Sequence, residues 1–259
     1  MRIVSLACSN TEIVHALGCA HLLVGVDDHS DWPADVVGPL PKVGPDLDID
    51  VDRVAALEPD LVLATLTVPG HENVVGRLRE AGLPYLAPEP VSLEDVYEDI
   101  REIARRLGVL GRGHELVARM RGELDAPAPA PDAPTVLIQW WPKPVIAPGR
   151  LSWATDVLHA AGARGIIEED DVKSRPMSDD EVAARAPDAV VLSWCGVDPA
   201  KYRPDVVLGN AAWADQAFVR EGRVHTVGEP FLGRPGPRLV EGVRRLRTIV
   251  AGLRASQAS

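Results

Sequence analysis

The chain has 259 residues, a length that suits two compact domains of roughly 100 residues each and a connection. Hydrophobic residues make up 46% and charged residues 25%, which excludes the disordered and fibrous classes. The formal net charge of −11 leaves no basic surplus to release counterions from a phosphate backbone, so no nucleic-acid partner is expected.

In chain order, residues 3–7 are apolar and β-compatible, and Ser9 and Asn10 follow as expected caps of a helix with periodic Ile13, Val14, Ala16 and Leu17, closed by Gly18. Residues 22–26 read as a strand, with the turn-rich His29-Ser30-Asp31-Trp32-Pro33 after it. A short helix over 52–57 stops at Pro59-Asp60, a buried strand covers 61–64, and a helix over 70–81 leads to a strand at 84–87. From 93 to 107, Val96, Ile100, Ile103, Ala104 and Leu107 keep a helical period, and 115–124 continue it, so a long stiff helical connection is expected. Proline-rich 126–131 is extended. Beyond it come a strand at 136–139, a loop at 140–152, a helix from Ala154 to Gly162, a helix at 180–185, and strands at 189–193 and 223–227. An amphipathic closing helix over 240–253 is expected to carry a solvated basic face. The alternation predicts an α/β protein: two similar α/β lobes with mostly parallel central sheets joined by a long rigid helix. The boundaries expected are 1–90 for the N-terminal lobe, 91–126 for the connecting helical segment and 127–259 for the C-terminal lobe.

Two blocks occur twice. Thr11-Glu12-Ile13-Val14-His15-Ala16-Leu17-Gly18 returns as Thr155-Asp156-Val157-Leu158-His159-Ala160-Ala161-Gly162, and Asp52-Arg53-Val54-Ala55-Ala56 through Pro59-Asp60 returns as Asp180-Glu181-Val182-Ala183-Ala184 through Pro187-Asp188. Two long copies in the same order point to two lobes with a cleft rather than to a solenoid. His15 and His159 hold equivalent positions, which favours a structural role for both.

The three cysteines, Cys8, Cys19 and Cys195, are too few and too odd in number for a disulfide framework, and a reducing compartment is the simpler reading. The apolar stretch behind Met1 and Arg2 is too short for a secretory signal. A cytoplasmic protein is expected, the alternative being a periplasmic or cell-surface chain trimmed at its N-terminus.

Aromatic usage is skewed, with six tryptophans against two phenylalanines and three tyrosines. Trp140, Trp141, Trp153 and Trp194 fall at or just after strand ends of the second lobe, and Trp32 falls in a comparable loop of the first. As a group they suit a large, partly apolar ligand. Cys8, Ser9, Asn10, His29, Asp31, Thr65, Cys195, Glu229, Phe231 and Arg234 are the other ligand-binding candidates or their neighbours at this level. Arg234 is either aimed at a ligand carbonyl or carboxylate by its proline-stiffened segment or ion-paired at a helix start. No nucleophile elbow, Walker loop, dinucleotide fingerprint or H-E-x-x-H motif is present, so no catalytic residue is assigned. A soft metal site from His29, His71, Cys8 and Cys195 is a minor alternative, and no metal site is assigned.

Ser9-Asn10-Thr11-Glu12, Val24-Gly25-Val26 with Ser30-Asp31-Trp32-Pro33, Val51-Asp52-Arg53-Val54 with Pro59-Asp60-Leu61-Val62, and Arg234-Pro235-Gly236-Pro237-Arg238 resemble the vitamin B12-binding substrate-binding proteins of ABC importers. The resemblance spans nearly the whole chain. Trp194-Cys195-Gly196 is similar to a branch often written without a signal sequence. The resemblance implies a helical-backbone periplasmic binding protein fold. It also implies a non-enzymatic, monomeric binder of cobalamin, cobinamide or a related corrinoid, a metal chelate held between the lobes, with no cofactor required. It implicates Cys8, Ser9, His29, Thr65, Trp140, Glu229 and Arg234 by motif position. The first lobe departs from the pattern by placing His29, Asp46 and Thr65 where aromatic contacts are expected, with Trp32 and Trp141 as substitutes. A possible ABC permease partner would dock on one carboxylate per lobe, Asp52 and Asp180, which otherwise read as helix N-caps. Asp27-Asp28-His29-Ser30-Asp31-Trp32 lacks the glycine of the Asp-x-His-x-x-Gly loop that gives cobalt an imidazole, so no protein ligand to cobalt is expected. A ferric siderophore or haem is the alternative ligand, and a cytosolic enzyme or sensor using Cys8 and Cys195 the alternative of another class.

Overall fold

In a computed structural model, residues 1–257 are described, and the chain divides into two compact units. The first comprises Met1–Pro90 and Glu94–Arg119. The second comprises Val91–Leu93 and the chain from Met120 on. Of the segment 91–126, residues 94–119 fall in the first unit and residues 91–93 and 120–126 in the second.

Unit 1 runs β1 (Ile3–Ser5), α1 (Cys8–Ala16), β2 (Leu23–Val26), α2 (Ala34–Val37), α3 (Val51–Ala56), β3 (Leu61–Leu63), α4 (His71–Glu80) and β4 (Tyr85–Leu86). The helices α5 (Leu93–Arg106) and α6 (Leu110–Leu124) follow. The four strands form one parallel sheet in the order β2-β1-β3-β4. Buried Val4, Leu6, Val43, Ile49, Val54, Val62, Val74 and Leu78 form an aliphatic core. Each such side chain contributes roughly 1.5–3 kcal/mol on burial.

The long rigid helix is not observed. The helical stretch breaks at Gly108, which takes φ +71° and places its amide on the Arg105 carbonyl, while the Val109 amide bonds Ala104. These bonds close α5 in the manner of a glycine C-cap. Gly113 of α6 then comes so close to Ala104 that a Cβ at position 113 would lie 2.5 Å from the alanine methyl. The hydrophobic period continued through a turn that only glycine permits.

Unit 2 begins with β5 (Thr135–Gln139), β6 (Trp141–Pro142), β7 (Val145–Pro148), α7 (Trp153–Ala160), β8 (Arg164–Gly165) and β9 (Ser174–Met177). It continues with α8 (Asp179–Arg185), β10 (Ala189–Leu192), α9 (Pro204–Leu208), α10 (Ala217–Arg220), β11 (Val224–Thr226), α11 (Glu229–Leu232) and α12 (Leu239–Gln257). Its parallel sheet, β11-β10-β5-β8, repeats the order of unit 1, with β5, β8, β10 and β11 in the places of β1, β2, β3 and β4. A three-stranded antiparallel sheet, β6-β7-β9, is an addition that the alternating pattern did not reveal. The core here is aromatic, with Trp194, Tyr202, Trp213 and Phe218 among the buried residues.

The repeated blocks have a backbone reason. Gly18 and Gly162 sit at φ +71° and +79°, and each donates its amide to the carbonyl of the repeated histidine, His15 or His159, at 2.8 Å. The next amides, of Cys19 and Ala163, reach Val14 and Leu158 at 3.0 Å, so both helices end in the same two-bond cap. An arginine then covers each end: Arg112 donates to the Leu17 carbonyl and Arg254 to that of Gly162, where a cation complements the helix dipole. The second block also repeats its geometry. Glu58 and Ala186 take φ +47° and +43° just before Pro59 and Pro187. The aspartate after each proline then closes on the start of the central strand: Asp60 donates its amide to the Arg2 carbonyl and accepts the Arg2 amide on Oδ2, as Asp188 does with Thr135.

The basic face of α12 is not merely solvated. Arg244 pairs with Glu123, and Arg247 donates to the carbonyls of Glu123 and Ala160. Ser9 and Asn10 do not cap α1 either. The N-cap is Ala7, without a side-chain bond, and both residues lie in the first turn.

Because Asp188 carries both a backbone amide and the Thr135 hydroxyl, Asp188→Ala is expected to lower stability by about 1 kcal/mol or more, more than Asp60→Ala at its exposed position. Urea denaturation of the two variants measures this ranking.

Candidate functional site

In a parallel sheet all strands end at one edge, and ligands gather there. In unit 1 this edge is formed by α1 after β1, the loop from Asp27 after β2, and Ala64 and Thr65 after β3. Asn10 donates its side-chain amide to the Ala64 carbonyl at 2.7 Å, tying the first turn of α1 to the end of β3. Ser9 is buried in the same turn, and Thr65 is buried, with its hydroxyl toward Thr67 and the Pro88 carbonyl. Cys8 opens α1 with Sγ 4.0 Å from Asp27.

Asp27 is fully buried and organises the loop. It accepts the Ser30 hydroxyl at 2.5 Å and the His29 amide at 3.0 Å, and Ser30 meets the Thr11 hydroxyl at 2.8 Å. Burial pushes its carboxyl up, against the lowering effects of Ser30, His29 and Lys42. Asp27 was missed as an organising residue, although its spacing from His29 was visible.

Beside this network stands a carboxylate between two imidazoles. Asp46 lies 3.6 Å from His29 Nε2 through one oxygen and 3.6 Å from His71 Nε2 through the other. His71 is only 4% exposed, and its Nδ1 accepts the Val68 amide at 3.2 Å. The Asp46 carboxyl is held below the usual range, first by His71 and then by His29, against partial burial.

Trp32 is placed elsewhere. It is 38% exposed, and its ring meets the edge of His15 at 4.9 Å. Seven residues into α1, that contact is about 10 Å along the helix from Cys8. His15 and His159 have unlike partners, since His159 meets Glu168 at 2.9 Å.

In unit 2 the tryptophans divide. Trp194 is 6% exposed, donates its indole N–H to Gln139 and stacks on Tyr202, so it belongs to the core. Trp153 is also buried, bonded to the Leu232 carbonyl. The expectation of a Trp194 face for ligand is therefore corrected: the main chain turns the ring inward after β10. Trp140 is half-buried at the end of β5, 6.2 Å from Trp153, and its buried indole N–H has no hydrogen-bond partner. Trp141, 41% exposed, stands on β6.

Cys195 follows Trp194 and bonds the Trp140 carbonyl through its amide. Although solvent reaches its side chain, the surrounding protein and then Glu229 push its thiol up to about 12. Glu229 pairs with buried Arg234 at 3.0 Å, which fulfils the ion-pair reading of that arginine. Tyr202 accepts the Glu229 amide and donates to the Trp194 carbonyl. Phe231 is engaged by the guanidiniums of Arg238 and Arg245, 4.6 and 4.1 Å from its centroid. Among the described residues no group of three histidine, cysteine or acidic side chains could hold a metal ion.

Asp52 and Asp180 are not N-caps. Asp50 and Ser178 cap α3 and α8, accepting the amides of Arg53 and Glu181. This leaves Asp52 and Asp180 exposed in equivalent first turns.

Residues 3–230 match the family model described as periplasmic binding protein, and the chain belongs to that family. It is 30% identical over 254 residues to YvrC, described as an ABC transporter substrate-binding lipoprotein of Bacillus subtilis, covering 95% of this chain and 78% of that protein. It is 25% identical over 251 residues to a vitamin B12-binding protein of Vibrio parahaemolyticus, covering 93% and 86%. Among solved structures, the periplasmic heme-binding protein RhuT of Roseiflexus sp. RS-1 matches with a TM-score of 0.80 at 26% identity, over 97% and 98% of the two chains. The fold and family expected from the residues are thus found. The cytoplasmic location is not supported by these relatives, and no helix among the described residues is long and apolar enough to cross a membrane.

With its proton held at ordinary pH, Cys195 is expected to react with iodoacetamide at pH 8 more than about tenfold slower than a free cysteine. Site-resolved mass spectrometry measures the rate, and a fast-reacting Cys195 would revive a thiol-based activity.

Proposed function

We propose that the chain is the substrate-binding component of an ABC import system, working outside the cytoplasmic membrane, and that its ligand is a corrinoid, cobalamin or cobinamide. The observation that carries the ligand class is the carboxyl edge of the unit 2 sheet, where Trp140 and Trp141 stand among compensated charges. Arg234 is paired with Glu229. An aromatic edge whose buried arginine is already partnered suits a large, partly apolar ligand with neutral amide substituents. Anionic siderophores would compete with Glu229 for Arg234. Haem is the second reading, favoured by the similarity to RhuT, and its two propionates meet the same obstacle. Binding without chemistry fits the raised thiol of Cys195.

For a transporter partner, the exposed Asp52 and Asp180 offer one carboxylate in each unit at equivalent helix positions. Substituting both by alanine is expected to abolish corrinoid uptake by cells while leaving the dissociation constant of the isolated protein unchanged. Loss of affinity in that variant would place the pair in the binding site instead.

Isothermal titration with cyanocobalamin and cobinamide tests the ligand class, and no heat or retention at high micromolar ligand would reject it. Trp140→Ala is expected to weaken binding by roughly 1–3 kcal/mol. Trp194→Ala, a core truncation, is expected to cost roughly 3–5 kcal/mol of folding stability, read by thermal melting.

A further inference from the structure

Successive residues of a strand point to opposite faces of the sheet, and at the end of β5 this separates two surroundings. Trp140 turns toward Trp153 of α7. Gln139 turns the other way, to the side that holds Trp194. On that side the β6-β7 hairpin, the start of α8 and the chain from α9 to residue 213 line a cavity of about 680 Å³. Gln139 is 1% exposed and belongs to the lining. An indole N–H can only donate, so Trp194 holds the Gln139 oxygen at 2.9 Å and leaves the amide nitrogen as the group offered to the cavity. That nitrogen has no hydrogen-bond partner among the described residues.

Asn210 repeats the arrangement. Its oxygen accepts the Ala212 amide at 3.0 Å, so its nitrogen is the group left over. Lys143, exposed at the turn of the hairpin, adds an ammonium with no acidic partner among the described residues. The two acids of the lining differ. Asp205 is spent on Arg203, with bonds of 2.9 and 2.6 Å. Asp179 has its carboxylate unpaired, while its carbonyl takes the Trp213 indole N–H at 3.0 Å and fixes the start of α8 to the turn beyond α9. Val145, Met177 and Val206 supply apolar wall. Three donors, one of them cationic, call for acceptor oxygens, and the one free carboxylate calls for a cation. Drug-sized ligands occupy cavities of about 300–1,000 Å³, so this one is too large for a single amino acid to fill and suits a short peptide.

We propose that this cavity is a second binding site, for a short zwitterionic peptide. The terminal carboxylate is taken by Lys143 and the Gln139 and Asn210 amides, the terminal ammonium by Asp179, and an aliphatic side chain by Val145, Met177 and Val206. A ligand carrying only a carboxylate would leave Asp179 unpaired, and a purely cationic one would meet Lys143, so both charges are required. The site lies within unit 2, on the opposite face of its sheet from Trp140, and it does not rest on the corrinoid reading above.

The probe is the dipeptide leucyl-alanine, with its N-acetylated and C-amidated forms as controls that each lack one terminal charge. Isothermal titration of wild-type protein is expected to detect the free dipeptide and to find each blocked form about tenfold weaker or worse. Asp179→Asn should bind the free and acetylated forms alike, and Lys143→Gln the free and amidated forms alike. Both residues are exposed, so both variants are expected to melt as the wild type does. Excess cyanocobalamin should not displace the dipeptide. No binding of the dipeptide at millimolar concentration, or blocked forms that bind as tightly as the free one, would overturn the site. Displacement by cyanocobalamin would overturn it as well, by placing the dipeptide at the aromatic edge.

Discussion

Each unit depends on one constraint, a short central strand that must be paired on both sides. β1 lies between β2 and β3, and β5 between β8 and β10. A strand of three or five residues has few ladder bonds with which to set its position, so its start is held by side chains. The aspartate after the repeated proline, Asp60 or Asp188, takes the amide at that start and returns its own. With the start held, the register of the sheet and the level at which its strands end follow. The loops that finish the strands then meet at one edge.

What fills that edge differs between the units. In unit 1 it is polar, built around a buried carboxylate that gathers Ser30, the His29 amide and the Cys8 thiol, with Asp46 and two imidazoles beside it. In unit 2 it is aromatic, with Trp140 and Trp141 near a glutamate–arginine pair. The framework residues are shared because they close helices and strands. The edge residues diverge because nothing in the sheet requires them.

The tryptophans show why composition overstates a site. Six in a chain with two phenylalanines looked like a ligand surface, yet Trp153, Trp194 and Trp213 are buried, and each spends its indole N–H on Leu232, Gln139 or Asp179. Strand ends place a residue at the right level but do not say which way its ring turns. That is settled by the space between β10 and the helices packed on it, and by which polar atom is within reach of the indole.

Local rules made most of the elements legible in the amino-acid order. Apolar periods marked the helices, prolines and glycines marked their ends, and the doubled blocks marked two units of the same plan, because each of these effects acts within a few residues. The same order misled wherever a contact came from far along the chain. The break between α5 and α6 depends on Gly108 leaving the helix and Gly113 meeting Ala104. The anchoring of α12 depends on Glu123, more than a hundred residues away. Likewise His29 was visible as a candidate, but only folding brings Asp46 and His71 to it. A side chain's chemistry is set by its neighbours in space, and those neighbours are chosen by packing rather than by spacing in the chain.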